Sequence, residues 1–435
     1  MDIEAGQVSY EFIRDHYHTL DKFERLKSLV GFRYAEQSIR AISRLHTFYT
    51  NQRGELDNTK YGLFLYPNEK WSDPLFFYTG LGLDHSSGVI KGESVTIAPS
   101  GASTIRLYKS CVMPKALVLP DGLRHYAHEW DVAGADALVA VDNGPEMRSR
   151  HVGLMFLMLW VILLFMPPKR GDFKGSIERL FQTFEKLFIS SLPGYVDAGG
   201  IRATDPRSAR IRTRAMANAN MTVADYKKKL LPIILEYNRS LHPRFGRPRI
   251  DVYREAQSLV PLVLPTGRRQ IQAIFSLTYT PKLTREGVEV ERLKYQSNEL
   301  SLLFRIYSGK VHVKLDPDDI RTVLVFAPKI RDPIEAHLTT FDIEDFPITL
   351  ELARTISSRI PSAVRIEDFG FHFLHELQNL QAGKTVLTPN ETLRHIAQAA
   401  AHAADAPTVE DPSERSESST DLNSLLDGTE LNDGA

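Results

Sequence analysis

From Gly54 to Leu187 the chain alternates between two kinds of apolar run, and few folds accept their order. The first three runs, GELDNTKYGLFLY, PLFFYTGLGLD and VIKGESVTI, are rich in aromatic and β-branched residues and are parted by Pro, Asn and Gly, which predicts three strands joined by turns. PSGASTIRLYKSCVMPKALVLP then changes to a helical period, with Ser100 or Ser103 as the cap and Ile105, Leu107 and Tyr108 on the apolar face. HEWDVAGADALVAVD reads as a helix end followed by a strand. HVGLMFLMLWVILLFM, residues 151–166, reads as a core helix leading into a buried strand. It is shorter than the roughly 20 residues a membrane helix needs, and Pro167-Pro168 stops it, so no membrane role is expected. KGSIERLF opens another helix. Three strands, helix, strand, helix, strand, helix predicts a mixed α/β sheet with helices on its faces.

That order puts two acids where they matter. Asp142 ends the apolar strand ALVAVD, and Glu178 lies in the first turns of the next-but-one helix, with 35 residues between them. A strand and a helix packed side by side bring such acids to one point. Two carboxylates with a third upstream suit Mg²⁺, which takes oxygen ligands and keeps positions open for water and phosphate. Each acid alone has a plainer explanation. Asp-Asn-Gly is a turn tripeptide, and Glu178-Arg179 fits a solvated helix face.

The net charge of −1 averages a basic middle and an acidic end. Residues 7–48 show two or three basic amphipathic helices. Leu192 to about Asn220 has no regular apolar period and reads as a mobile basic loop, followed by a helix capped by Thr222 with Leu230, Leu231, Ile234, Leu235 and Tyr237 on its apolar side. Arg207, Arg210, Arg212, Arg214, Lys227, Lys228 and Lys229 would neutralise DNA phosphates without reading sequence, and Lys174 and Arg179 add charge beside Glu178. Residues 260–328 alternate over short runs, the pattern of a small barrel. Asp316, Asp318 and Asp319 are read there as a turn and cap rather than a metal site. Helices follow to residue 405; His395 and His402 on the last of them are taken as solvated. From residue 406 the composition is acidic and without aromatics, as in disordered tails, except for the cluster Leu422, Leu425 and Leu426, which suits a partner groove. A single cysteine excludes an internal disulfide framework and points to a reducing cytoplasm.

VDNGPEMRS and PPKRGDFKGSIERLFQTFEKLFISSLPGY resemble the second Asp and the Glu of the D,D(35)E transposase and integrase superfamily, down to the Pro-Pro, the Lys174-Gly175 pair and Phe181. The family's first ligand sits in a W-E-I-D-x-T pattern, which Glu55-Leu56-Asp57-Asn58-Thr59 matches, with Gly54 in place of the aromatic. Asp84, in LDHSSG, resembles a structural second-strand pattern; the missing aromatic keeps it open as the alternative to Asp57. GVEVERLKYQSNEL followed by VHVKLDPDDIRTVLVF resembles the C-terminal β-barrel of the Mu transposase branch, which includes TnsB-like proteins. The resemblance implies a multidomain α/β plus β-barrel protein. Its parts would be a helical segment (1–48), a ribonuclease-H-like catalytic core of the retroviral-integrase type (49–195), a basic linker and helix (196–258), a small barrel (259–328), a helical segment (329–405) and a disordered acidic tail (406–435). It also implies two Mg²⁺, with Mn²⁺ as a substitute, held by Asp57, Asp142 and Glu178 for DNA end cleavage and 3′-hydroxyl strand transfer. Further implications are a multimeric complex on double-stranded DNA in the cytoplasm, at the nucleoid, and an AAA+ ATPase regulator bound by the tail. The chain resembles a family member without its N-terminal end-binding modules. The alternatives are a catalytically idle DNA-binding remnant and a metal-dependent nuclease without strand transfer.

Overall fold

The computed structural model describes residues 9–31, 47–67, 74–166, 175–197, 206–328, 330–342, 348–361 and 364–381. The chain divides into two units, Met1–His46 and Thr47–Ala435. In the first, α1 (Tyr10–Thr19) and α2 (Lys22–Val30) start at side-chain caps, Ser9 accepting from Phe12 N–H and Asp21 from Glu24 N–H. Arg25 ties the two helices by donating to the carbonyls of His18 and Leu20 at 2.6 and 2.7 Å.

In the second unit β1 (Arg53–Leu65), β2 (Leu75–Asp84) and β3 (Ile90–Thr96) form the expected antiparallel meander. The chain crosses through α3 (Gly101–Val112) to β4 (Leu138–Val141), which lies parallel to β1, and through α4 (Arg150–Met158) to β5 (Ile162–Phe165), parallel to β4. The strand order β3-β2-β1-β4-β5, with three antiparallel strands and two parallel ones reached by helical crossovers, is the ribonuclease-H-like arrangement. Ser100 and Ser103 are both used at the start of α3, as the two halves of a capping box. The helix lies close on β3 because Gly92 has no side chain; a Cβ there would sit 2.6 Å from the backbone nitrogen of Cys111. One expectation fails here. β5 is an edge strand, not a buried one, and Ile162 is 64% exposed beside Trp160 at 90%. Its apolar composition resembles that of a central strand, but it lies last in the sheet.

The opposite face of the sheet is covered by α5 (Gly175–Leu187), which buries Ile177, Leu180, Phe181 and Phe184 at the i, i+3, i+4, i+7 spacing; each such side chain contributes about 2 kcal/mol. The segment expected as a mobile loop instead holds α6 (Pro206–Asn218). Its sequence is rich in Ala, Arg and Met, which favour helix, and Pro206 stands at the first helical position. No apolar period announced it, because the stripe it turns inward is Ser208, Arg212, Ala215 and Ala219, the two alanines packing against Phe64 and Val196. Next come α7 (Val223–Arg239), capped by Thr222, and α8 (Arg249–Gln257). Tyr226, Leu230, Leu231, Ile234, Ile250 and Tyr253 share one apolar cluster with Tyr61, Leu63 and Phe181, so this stretch is part of the core's covering layer.

After α9 (Arg268–Ile274) come β6 (Leu277–Tyr279), β7 (Val288–Val290), β8 (Leu293–Gln296), α10 (Asn298–Phe304), β9 (His312–Asp316), β10 (Asp319–Phe326) and β11 (Ile334–Leu338). The strands form one sheet in the order β6-β9-β10-β11-β8-β7, curled into a nearly closed barrel, and β11 carries it past residue 328. α11 (Leu350–Arg359) and α12 (Ile366–Gln381) follow. The barrel shares an apolar core with the α3 and α4 side of the first sheet. Polar contacts join the two: Arg106 to Asp318 at 2.8 Å, Lys109 to Asp316 and Asp318 at 3.6 and 3.5 Å, and Thr278 N–H donating to His151 Nδ1 at 2.9 Å. The Asp-Pro-Asp-Asp run is thus a turn, as its Asp318 N–H to Asp316 bond of 2.9 Å requires, and also the barrel's attachment to α3. The helix expected at 390–404 and the tail lie outside the described residues, as do His395 and His402.

Candidate active site

Strand order places the two aspartates on adjacent elements. β1 and β4 run parallel with Arg53, Gly54 and Glu55 opposite Leu138, Val139 and Ala140. Asp57 lies on β1 two residues beyond this ladder, and Asp142 directly follows Val141, the last residue of β4. Alternation also assigns the face. Leu56, Val139 and Val141 join the cluster under α3 and α4, whereas Tyr61 joins the cluster under α5, its hydroxyl donating to the carbonyl of Phe181. Asp57 pairs with Leu81, which joins the cluster under α5, so Asp57 belongs to the face α5 covers. Asp57 is half-buried and takes the N–H of Asn58 at 2.9 Å; Asp142 is exposed and takes the N–H of Gly144 at 3.2 Å. The strand stops at Asp142 because Asn143 folds back, donating to the carbonyl of Met166 at 2.8 Å while accepting from Arg148 at 3.0 Å. The turn tripeptide and the acid position are thus the same feature.

Glu178 is exposed in the first turn of α5, next to the buried stripe that seats the helix on β1. Among the described residues no group of three His, Cys, Asp or Glu side chains could hold a metal ion. The donor chemistry of the three carboxylates fits a hard cation, with no nitrogen or sulfur ligand among them. The fold places Asp57 on β1, Asp142 directly after β4 and Glu178 on α5, without a closed set of three among the described residues.

Asp84 lies elsewhere in character. It is fully buried, and its carboxylate accepts Asn51 N–H at 2.8 Å, Ser87 N–H at 2.9 Å and the hydroxyls of Ser86 and Ser87 at 2.6 Å each. Four donors saturate its oxygens and make it the cap of the β2–β3 turn. An acid the motif search passed over is Glu55, buried on the same face as Asp57, which holds His85 Nδ1 at 2.7 Å and Arg53 at 3.4 Å. Its only signal was the Glu of the matching pattern.

The basic residues divide by position. Arg207, Arg210 and Arg214 are exposed on α6, and Arg212 is half-buried. Lys227 is bound to Glu93 at 3.1 Å and Lys228 to Asp225 at 3.2 Å, while Lys229 is exposed. Arg179 donates to the carbonyl of Gly175 at 2.9 Å and borders a cleft of about 640 Å³ between α5 and the end of α7. Lys174 and the cluster Leu422, Leu425 and Leu426 lie outside the described residues. Among the described residues no helix is long and apolar enough to cross a membrane.

Two family models match in chain order: the TnsB C-terminal domain over residues 55–194 and the Mu transposase C-terminal domain over residues 274–331. The transposase for transposon Tn552 of Staphylococcus aureus is 22% identical over 51% of this chain and 42% of its own length. The Tn7 transposition protein TnsB of Escherichia coli is 24% identical over 54% of this chain and 34% of its own. The chain therefore spans under half the length of these curated relatives. The BIV integrase catalytic core superposes with a TM-score of 0.26 at 12% identity, over 48% of this chain and 97% of that one; the strand order, not this superposition, identifies the fold. The core is matched by one model and the barrel by the other, in that order, and with these relatives the two matches support a TnsB/Mu-like transposase family.

Proposed function

We propose that the chain is a DNA transposase that cleaves at transposon ends and transfers the freed 3′-hydroxyl into target DNA. The observation that supports this most is the parallel pairing of β1, which bears Asp57, with β4, which Asp142 directly follows, in a sheet covered by the helix bearing Glu178. Asp57 and Asp142 would hold divalent cations together with Glu178. The bound cations would neutralise the phosphodiester and favour in-line attack by water, then by the 3′-hydroxyl. The carboxylates orient this arrangement; α6 and α7 supply phosphate-neutralising charge through Arg207, Arg210, Arg214 and Lys229. Self-assembly on paired DNA ends and recruitment of an AAA+ regulator through Leu422, Leu425 and Leu426 belong to the same reading.

Asp142→Asn and Glu178→Gln should each abolish Mg²⁺-dependent end cleavage and strand transfer while leaving DNA binding within about twofold, because the phosphate contacts lie elsewhere. Full activity in either variant rejects the mechanism. In the same assay, removal of residues 420–435 should keep hydrolysis and lose regulator-stimulated insertion; unchanged regulator binding rejects the tail's role. The lack of a closed three-acid group among the described residues favours the second reading, a DNA-binding remnant without catalysis. That reading expects normal DNA binding and no cleavage by the unsubstituted chain in Mg²⁺ or Mn²⁺.

A further inference from the structure

Between α7 and α8 the chain makes a short hairpin, SLHPRFGRPR, that ends in an exposed aromatic. Leu241 and Pro248 bridge its two arms, His242 N–H donates to the Arg247 carbonyl at 2.7 Å, and the His242 carbonyl takes the N–H groups of Phe245 and Gly246 at 3.2 and 2.9 Å. Gly246 adopts φ +63°, which lets the chain reverse directly after Phe245. At its base Arg249 donates to the Ser240 hydroxyl and to the carbonyls of Ser240 and Leu241 while stacking on Tyr237 at 4.3 Å. The hairpin is therefore held in one shape by backbone bonds, and its tip carries Phe245 at 45% exposure, its ring tilted against His242 at 4.8 Å with Arg244 beside it at 5.3 Å. Arg239 and Arg247 are neutralised by Glu129 and Glu255; among the described residues Arg244 enters no ion pair.

An exposed phenyl ring on a rigid tip serves the fold poorly. It is the form of side chain that enters a base step, unstacking the pair while a neighbouring arginine takes the phosphate. The cleft beside the hairpin points the same way. Ser240, Leu241 and His242 form one wall, and Arg179 and Thr183 of α5 form the other, one residue from Glu178. Leu187, Ile233 and Tyr237 give it an apolar lining suited to the face of a base.

We propose that the 240–249 hairpin is a DNA wedge: Phe245 inserts at a weakened base pair, Arg244 binds the adjoining phosphate, and the unstacked nucleotide enters the cleft bordered by Arg179. This rests on the reading of the chain as a DNA-acting protein. The test uses the full chain and short duplexes of arbitrary sequence, one fully paired and one with a single mismatch flanked by 2-aminopurine. The unsubstituted protein should bind the mismatched duplex more tightly and raise the 2-aminopurine emission. Phe245→Ala should weaken mismatch binding by about 5- to 150-fold, the range for one lost base stack, and leave paired-duplex affinity and thermal melting unchanged. Phe245→Trp should retain the preference. Arg244→Ala should weaken both duplexes and lower the salt slope by about one. Retained mismatch preference and emission in Phe245→Ala overturn the wedge alone. Equal loss on both duplexes also overturns it, and marks the tip as a general contact. Failure of the unsubstituted chain to bind either duplex overturns the wedge together with the DNA reading beneath it.

Discussion

Asp136→Ala is expected to be among the most damaging single changes in the core, and its cost follows from what it leaves behind. Lys91 is 1% exposed, and its ammonium donates to Asp136 at 2.7 Å, to the side-chain oxygen of Asn51 at 2.6 Å and to the Gly134 carbonyl at 3.0 Å. Tyr108 donates to the second Asp136 oxygen at 3.2 Å, and Tyr253 reaches Asn51 at 3.3 Å. One network thus ties together the starts of β1 and β4, the strand β3, and helices α3 and α8. Burial is the largest influence on the ammonium and opposes it, but Asp136 together with Tyr253, Asp84 and Cys111 outweighs burial and raises the Lys91 pKa; burial raises that of Asp136 against the pull of Lys91. Removing the carboxylate strands a buried charge, at a cost of about 3–5 kcal/mol. Lys91→Met added to Asp136→Ala removes the stranded charge and should restore about 2 kcal/mol of that loss. Urea unfolding followed by the emission of Trp130, which is fully buried and donates to the Ile90 carbonyl at 2.8 Å, reads this region directly. A loss below about 1 kcal/mol for Asp136→Ala, or simple additivity in the double variant, refutes the argument.

His151 gives a pH dependence of defined sign. Burial, with Arg354 and Lys314 nearby, lowers its pKa from 6.5 to about 4, so the folded protein keeps it neutral to accept from Thr278 while the unfolded chain protonates below 6.5. Stability present above pH 6.5 should therefore be lost as the pH falls towards 4, by about 3 kcal/mol in all, and His151→Gln should flatten that part of a urea-midpoint profile. Asp84→Ala should destabilise by at least about 2 kcal/mol, since it orphans the N–H groups of Asn51 and Ser87, yet leave the Mn²⁺ concentration for half-maximal end cleavage unchanged. Normal stability with weakened metal dependence would assign the first ligand to Asp84 instead of Asp57.

Much of the core was legible because its signals are local. Alternation, turn residues and caps mark β1 to β3 and the start of α3 within a residue or two, since each depends on neighbours a few positions away. Barrel strands were recognisable for the same reason. What sequence could not supply was position within the sheet and between layers. The run ILLF reads the same in a central strand and in the edge strand β5, because composition does not record how many neighbours a strand has. α6 hid because its inward stripe is small and partly charged, and only Phe64 and Val196, distant in the chain, make that stripe worth burying. The motif named Asp57 and Asp142 separately. Only the parallel pairing of β1 with β4 puts the elements that carry them side by side, and only the packing of Ile177, Leu180 and Phe181 decides which face of the sheet α5 covers. Local sequence determines which elements form; pairing register and layer contacts, which depend on residues some 85 or more positions apart between β1 and β4, determine which side chains meet.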